Sequence, residues 1–102
     1  MGSAASQINK ALSLFEGGNY TKARKLALKI TSQDPSHATA WNILGVIAAS
    51  RDNYLEAKQA FSRLAELKPD FSIAWANIAR ACFQLGEFPE ASSSILKAIT
   101  IE

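Results

Sequence analysis

A single spacing governs what this chain can fold into. Ala23, Ala57 and Ala91 lie 34 residues apart, and so do Trp41 and Trp75, Pro35 and Pro69, and the aromatic series Tyr20, Tyr54 and Phe88. Gly18 and Gly86 stand 68 apart, with Asp52 midway between them. Small, aromatic, proline and turn residues have no conformational preference in common, so one period running through all of them marks a repeated structural unit. Units of this length are supersecondary pieces that bury an apolar face only by stacking on one another. Three of them, residues 4–37, 38–71 and 72–102, account for nearly the whole chain as one domain.

Each unit reads as two helices. In the first, Ile8, Ala11, Leu12 and Phe15 recur at helical spacing, which predicts a helix over about Ala4–Glu16 with one apolar stripe. Gly17-Gly18-Asn19 ends it, because these residues accept the left-handed conformation of helix exits. Thr21 is expected to cap a second helix running to about Ser32, with Ala23, Leu26, Ala27 and Ile30 on its apolar side. Asp34-Pro35 stops it, since proline disfavours helical geometry in the residue before it. The second unit repeats this plan over about Ala38–Ser50 and Tyr54–Leu67. Small residues where two helices cross let their axes approach closely: Ala11 and Ala23, then Gly45 and Ala57, then Ala79 and Ala91. Glu56 reads as an exposed-face residue, and Glu56, Glu90 and Lys68 as complements to the helix dipoles.

Trp41-x2-Leu44-Gly45-x2-Ala48, followed by Ala57-x3-Phe61 and Pro69, resembles the tetratricopeptide pattern W-x2-L-G-x2-Y…A-x3-F…P. The third unit follows it with Trp75, Ile78, Ala79, Cys82, Ala91 and Ile95. The first unit departs from it, with Gln7 in the tryptophan place and Lys10 where the others have Leu or Ile. The resemblance implies an all-α fold, a right-handed α-solenoid of three antiparallel helix hairpins, and work in protein–protein interaction. It makes Trp41, Leu44, Gly45, Ala57, Phe61, Pro69, Trp75, Ala79 and Ala91 signature and core residues.

Composition narrows the function. An apolar content of 48% is that of a folded domain, and no run of about 18 apolar residues is present to cross a membrane. The net charge of +2 grades from +3 over residues 1–37, through 0 over 38–71, to −1 over 72–102, too shallow for a nucleic-acid binder. A single cysteine makes no internal disulfide and suits a reducing, cytoplasmic setting. Met1-Gly2-Ser3 reads as a cloning scar ahead of the repeat register, although Met1 to Ser6 also fits a myristoylation pattern.

Catalytic chemistry finds no foothold. His37 is the only histidine, in the turn between Pro35 and Ala38, with no second metal ligand at working distance in sequence. Cys82 takes a core position, and only Arg80 is close in sequence as a basic partner. Gly17-Gly18 lacks the spacing of a phosphate loop, and the sequon Asn19-Tyr20-Thr21 reads as a hairpin turn. The chain is therefore expected to be non-catalytic, without cofactor or metal.

Surfaces remain. The resemblance implies that the first helices of the units line a concave groove. By register it receives Ile8, Leu12 and Phe15, then Asn42, Val46 and Ala49, then Ile73, Ala76, Arg80 and Phe83. Such a lining fits an apolar or amphipathic protein segment or peptide; the plainer reading is that Ile8, Leu12 and Phe15 pack within or between units. Related co-chaperones grip the acidic C-terminal tails of heat-shock chaperones with lysine, asparagine and arginine. The matching positions here are Ile8, Leu12, Ile43, Ile73 and Asn77, none of them cationic, so those tails are not expected as ligands. Two alternatives are a targeting or scaffolding domain of a repeat-bearing transferase and an RNA-binding helical repeat of the pentatricopeptide type. The 34-residue period and flat charge disfavour the latter. The last helix carries Ala91, Ile95, Ala98, Ile99 and Ile101, from which we expect either a longer parent protein or self-association through that helix.

Overall fold

The computed structural model describes residues 4–101. Met1–Ser3, which carry the cloning-scar and myristoylation readings, lie outside the described residues. Six helices follow one another: α1 (Ala4–Glu16), α2 (Tyr20–Gln33), α3 (Ala38–Ser50), α4 (Tyr54–Leu67), α5 (Ser72–Gln84) and α6 (Phe88–Ile101). No described residue lies in a strand. Consecutive helices pack on one another, with short connections that force antiparallel hairpins. The molecule measures 45 × 25 × 21 Å, the one long axis being the direction of stacking.

The hairpin turns obey the period down to single hydrogen bonds. Gly18, Asp52 and Gly86 all have positive φ, at 81°, 58° and 78°. The N–H of the next residue reaches back five places in each case: Asn19 to the Leu14 carbonyl at 2.8 Å, Asn53 to Ala48 at 2.9 Å and Glu87 to Cys82 at 2.8 Å. This is the Schellman arrangement, which satisfies carbonyls that a helix end leaves over. Asp52 is the non-glycine member and carries the steric cost of a left-handed residue, about 1 kcal/mol. Asp52→Gly is therefore expected to stabilise the chain by about 0.5–1 kcal/mol, read as an upward shift of the urea midpoint. A loss of stability would show that the Tyr54 hydroxyl bond to Asp52, 2.9 Å long, outweighs the backbone strain.

The caps correct one expectation. Thr21 does not cap α2: the helix starts at Tyr20 and Asn19 is the N-cap residue. Asn53 holds the equivalent place before α4, where its side chain accepts the Glu56 N–H at 3.4 Å. Between units, the Asp34 carboxylate accepts from the Ser36 N–H at 3.1 Å and hydroxyl at 2.7 Å. These bonds, the hydroxyl's first, hold the Asp34 pKa below its ordinary value. His37 is half-buried, and its Nδ1 accepts the Ala40 N–H at 3.4 Å to cap α3.

Two apolar clusters run along the stack. One joins Ala11, Ala23, Ala27 and Ile30 of the first unit to Ala40, Ile43, Leu44 and Ile47 of α3. The other joins Ala57, Phe61, Leu64 and Ala65 of α4 to Ala74, Ile78, Ala81 and Cys82 of α5. Gly45 makes the α3–α4 crossing tight: a Cβ there would stand 2.7 Å from the ring of Phe61. Of the signature residues, Leu44, Gly45, Ala57, Phe61 and Ala79 are buried, while Ala91 is half-buried and Pro69 exposed.

Both tryptophans pack against the apolar clusters, Trp41 against both and Trp75 against the second. They are half-buried at the rim, because each indole N–H must reach a proline carbonyl of the preceding unit. Trp41 donates to Pro35 at 2.8 Å and Trp75 to Pro69 at 2.9 Å. A cation from the second helix covers each ring: Arg63 lies 5.6 Å from the Trp41 centroid and Lys97 4.4 Å from that of Trp75. Arg63 and Lys97 are themselves 34 residues apart.

Candidate functional site

A crevice of about 90 Å³ opens where α5 crosses α3 and α4. Val46 and Ala49 reach it from α3, and Tyr54, Ala57 and Phe61 from α4. Asn77, Arg80 and Ala81 of α5 form its far wall. Sites for small molecules occupy about 300 Å³ or more, so this crevice suits a side-chain anchor of a larger partner rather than a cofactor. Arg80 is exposed and is the single cation among these lining residues. Tyr54 stays neutral and polar: its hydroxyl bond to Asp52, which the phenolate could not donate, holds its pKa above the ordinary value.

The residues expected to form one groove fall into different surroundings. Val46, Ala49 and Arg80 meet in the crevice. Asn42 and Ala76 are half-buried, and Ile73 and Phe83 are exposed at 55% and 61%, which leaves their faces available to a partner. Ile8, Leu12 and Phe15 are half-buried and pack against the first apolar cluster, and the Phe15 ring stacks on Tyr20 at 5.5 Å. Tyr54, Ala57, Phe61 and Ala81 join the lining without having been expected there, and so does Asn77, which was matched only to the acidic-tail clamp. The period carries a signal for Asn77: it stands 34 residues after buried Ile43, and a polar residue in that place marks a changed environment.

Inter-unit ion pairs were not foreseen. Arg24 on α2 bonds Glu56 on α4, so Glu56 is half-buried and paired rather than on a free face. One period later, Lys58 on α4 bonds Glu90 on α6 at 2.9 Å and also Glu87 at 2.9 Å. Hydrogen bonds to Glu90 and then Glu87 hold the Lys58 pKa above its ordinary value. Glu87, Glu90 and Cys82 bring ligand atoms within 4.8 Å of one another. Lys58 already supplies a cation to the two carboxylates there.

Cys82 is fully buried, and burial is the main cause that raises its thiol pKa. Its charged neighbours are Lys58, Glu90 and Glu87, with Glu90 3.9 Å from Sγ, and not Arg80 as the order of residues in the chain had indicated. Such a thiol behaves as a small apolar side chain. None of the described helices is long and apolar enough to cross a membrane.

A family model described as "Tetratricopeptide repeat" matches residues 8–70, and a second so described matches residues 48–100. The peroxisomal targeting signal receptor of Candida glabrata is 35% identical over 75 residues, 74% of this chain. This chain spans only 12% of that receptor's length. A crystal structure of MamA superposes with a TM-score of 0.89 at 22% identity, over 98% of this chain and 58% of that one. The second TPR of Spaghetti, bound to the HSP90 peptide SRMEEVD, superposes with a TM-score of 0.87 at 21% identity, over 97% and 92% of the two chains. The likeness to these two structures is one of fold.

Proposed function

Since the chain belongs to the tetratricopeptide repeat family, we propose that it is a non-catalytic interaction module that docks an apolar or amphipathic segment of a partner protein. The observation that carries this reading is the α3–α4–α5 crevice, with Val46 and Ala49 as apolar walls and Asn77 and Arg80 as polar handles. Exposed Phe83 and Ile73 lie on the same helix as those handles and extend the contact surface. A few such anchors carry most of the affinity of peptide grooves, and asparagine can serve the backbone of an extended ligand.

The ligand class differs from that of the Spaghetti domain. At the positions that match the acidic-tail clamp, Ile8, Leu12 and Ile73 are apolar, Ile43 is buried and Asn77 is neutral. Several adjacent carboxylates would lose water there with Arg80 as their one cation in the crevice, at a cost of several kcal/mol.

A screen of immobilised twelve-residue peptides, with SRMEEVD included, tests both statements. Apolar or amphipathic sequences are expected to bind, and SRMEEVD is not. Phe83→Glu is expected to weaken the selected peptides about tenfold while the melt stays unchanged. Binding of SRMEEVD in preference to every apolar peptide would overturn the assignment; unfolding by Phe83→Glu would place Phe83 in the core.

A further inference from the structure

The first unit departs from the repeat design at three lysines that share one face. Lys10 stands where Leu44 and Ile78 are buried, at 3% and 5% exposure. Lys22 stands in the first turn of α2, where α4 and α6 carry Glu56 and Glu90. Lys29 stands where Arg63 and Lys97 cover Trp41 and Trp75, but here Gln7 replaces the tryptophan. These choices work against the fold. A cation in a first turn opposes the helix dipole, and a lysine in a leucine position gives up core. Conflict between local preference and fold concentrates at functional sites.

With Lys25, these lysines surround a trough of about 390 Å³ between α1 and α2. Half-buried Leu14 and Leu26 floor it, the four lysines are exposed, and no acid lines it. None of the four takes part in an ion pair among the described residues. Lys22, Lys25, Leu26 and Lys29 fall on one face of α2 over two turns, about 10 Å.

Charge and shape together choose the occupant. A preceding unit of the same design is opposed, because Arg24 and Lys58 meet Glu56 and Glu90 across units, and their counterpart would meet Lys22. That unit would also bury Lys10 without a partner. A lipid surface is entered by apolar side chains that project, whereas Leu14 and Leu26 are less exposed than the lysines around them. A nucleic-acid strand would use the lysines and leave the leucines idle, and the lining has no ring for a base to stack on. A helix with an aliphatic ridge between rows of carboxylates uses both. Lysine suits it, since its mobile point charge meets carboxylates in varied places while its stem extends the apolar floor.

We propose that the α1–α2 trough is a second docking site, for an acidic amphipathic helix of a partner protein whose aliphatic ridge rests on Leu14 and Leu26. It shares no lining residue with the α3–α4–α5 crevice, so one chain can hold a ligand at each.

Fluorescence anisotropy tests this with a labelled peptide of about eighteen residues, leucine at every third or fourth place and glutamate between. A dissociation constant on the order of 10 µM is expected, weakened about tenfold when salt rises from about 0.1 M to about 0.5 M. Lys22→Glu/Lys25→Glu is expected to weaken binding at least ~30-fold, while the melting temperature holds or rises because glutamate suits the first turn of α2. A lysine with a merely structural role would lower both. The same variant should now take the peptide with lysine in place of glutamate. Should the double variant lose its fold, Lys25→Glu alone gives the same readout. Phe83→Glu should leave this binding unchanged, so failure at the trough leaves the crevice reading standing. Equal binding of a scrambled peptide of the same composition would overturn the proposal, since charge alone would then suffice. So would no binding, binding that survives Lys22→Glu/Lys25→Glu, or tighter binding of phosphatidylserine vesicles or of a single DNA strand of about twenty nucleotides.

Discussion

Gly45→Leu is expected to lower the melting temperature by about 15 °C, a loss of about 3 kcal/mol for a domain of this size. The reason is local. Even one added carbon would sit 2.7, 2.8 and 2.9 Å from three ring atoms of Phe61. That ring is 2% exposed and packed among Leu64, Ala74 and Ile78, so it can yield only toward the crevice it lines, at the cost of those contacts. Alanine is the milder test, because its better helix propensity, up to about 1 kcal/mol, offsets part of the clash. The cause can be isolated by removing the ring. Gly45→Leu combined with Phe61→Ala should be more stable than the two single losses predict, since leucine then fills the space the ring has left. Far-UV circular dichroism melts of the four chains complete the cycle. A Gly45→Leu melt within error of the parent, or strict additivity, would remove this contact as the basis of the α3–α4 crossing.

Much of this architecture was legible because the period acts on residue classes that fail for different reasons. A glycine at a positive-φ turn, an alanine at a helix crossing and a proline after a helix are each ambiguous alone. When Gly18, Asp52 and Gly86 recur in step with Ala23, Ala57 and Ala91, the turns and crossings locate each other. Thr21 was misjudged as a cap because threonine is a good cap in general, whereas the Schellman turn at Gly18 sets the helix start at Tyr20. Trp41 and Trp75 pack against the clusters yet stay half-buried, since apolar size draws the ring inward while the indole N–H reaches out to a proline carbonyl.

The candidate site was less legible, for a physical reason. A groove drawn from the first helix of each unit leaves out the wall that the second helix supplies. Tyr54, Ala57 and Phe61 were read as a turn and a core, yet they also line the crevice. Asn77 comes from a first helix and matches a clamp position, but its place in the repeat is that of buried Ile43, so register alone kept it out of the apolar groove. Contacts between units depend on how far one hairpin is rotated over the next, and no local pattern encodes that rotation.

The inter-unit ion pairs give the second large expected effect: Lys58→Glu should cost about 2–3 kcal/mol. Each member was visible in the sequence, and Glu56 and Glu90 were read as partners of their own helix dipoles. They do lie in the first turns of α4 and α6, and the structure also pairs them across units. Lys58 is 22% exposed and bonds two carboxylates, so reversing its charge removes both pairs and sets three acids together beside buried Cys82. Breaking a fully buried pair costs about 3–5 kcal/mol; the figure here is lower because Glu87 and Glu90 are 38% and 57% exposed and water screens them. Repeat arrays couple through such nearest-neighbour seams, so the loss should fall on the union of the second and third units. Hydrogen exchange is expected to speed up in α5 and α6 well before it does in α1 and α2, and Cys82 should become open to alkylation. Lys58→Met removes the charge without adding repulsion and should cost less. Glu90→Lys added to Lys58→Glu should recover part of the stability, because the swapped pair restores one bond across the seam. Uniform acceleration of exchange along all six helices would show that the three units unfold as one body and that this seam is not their weakest join.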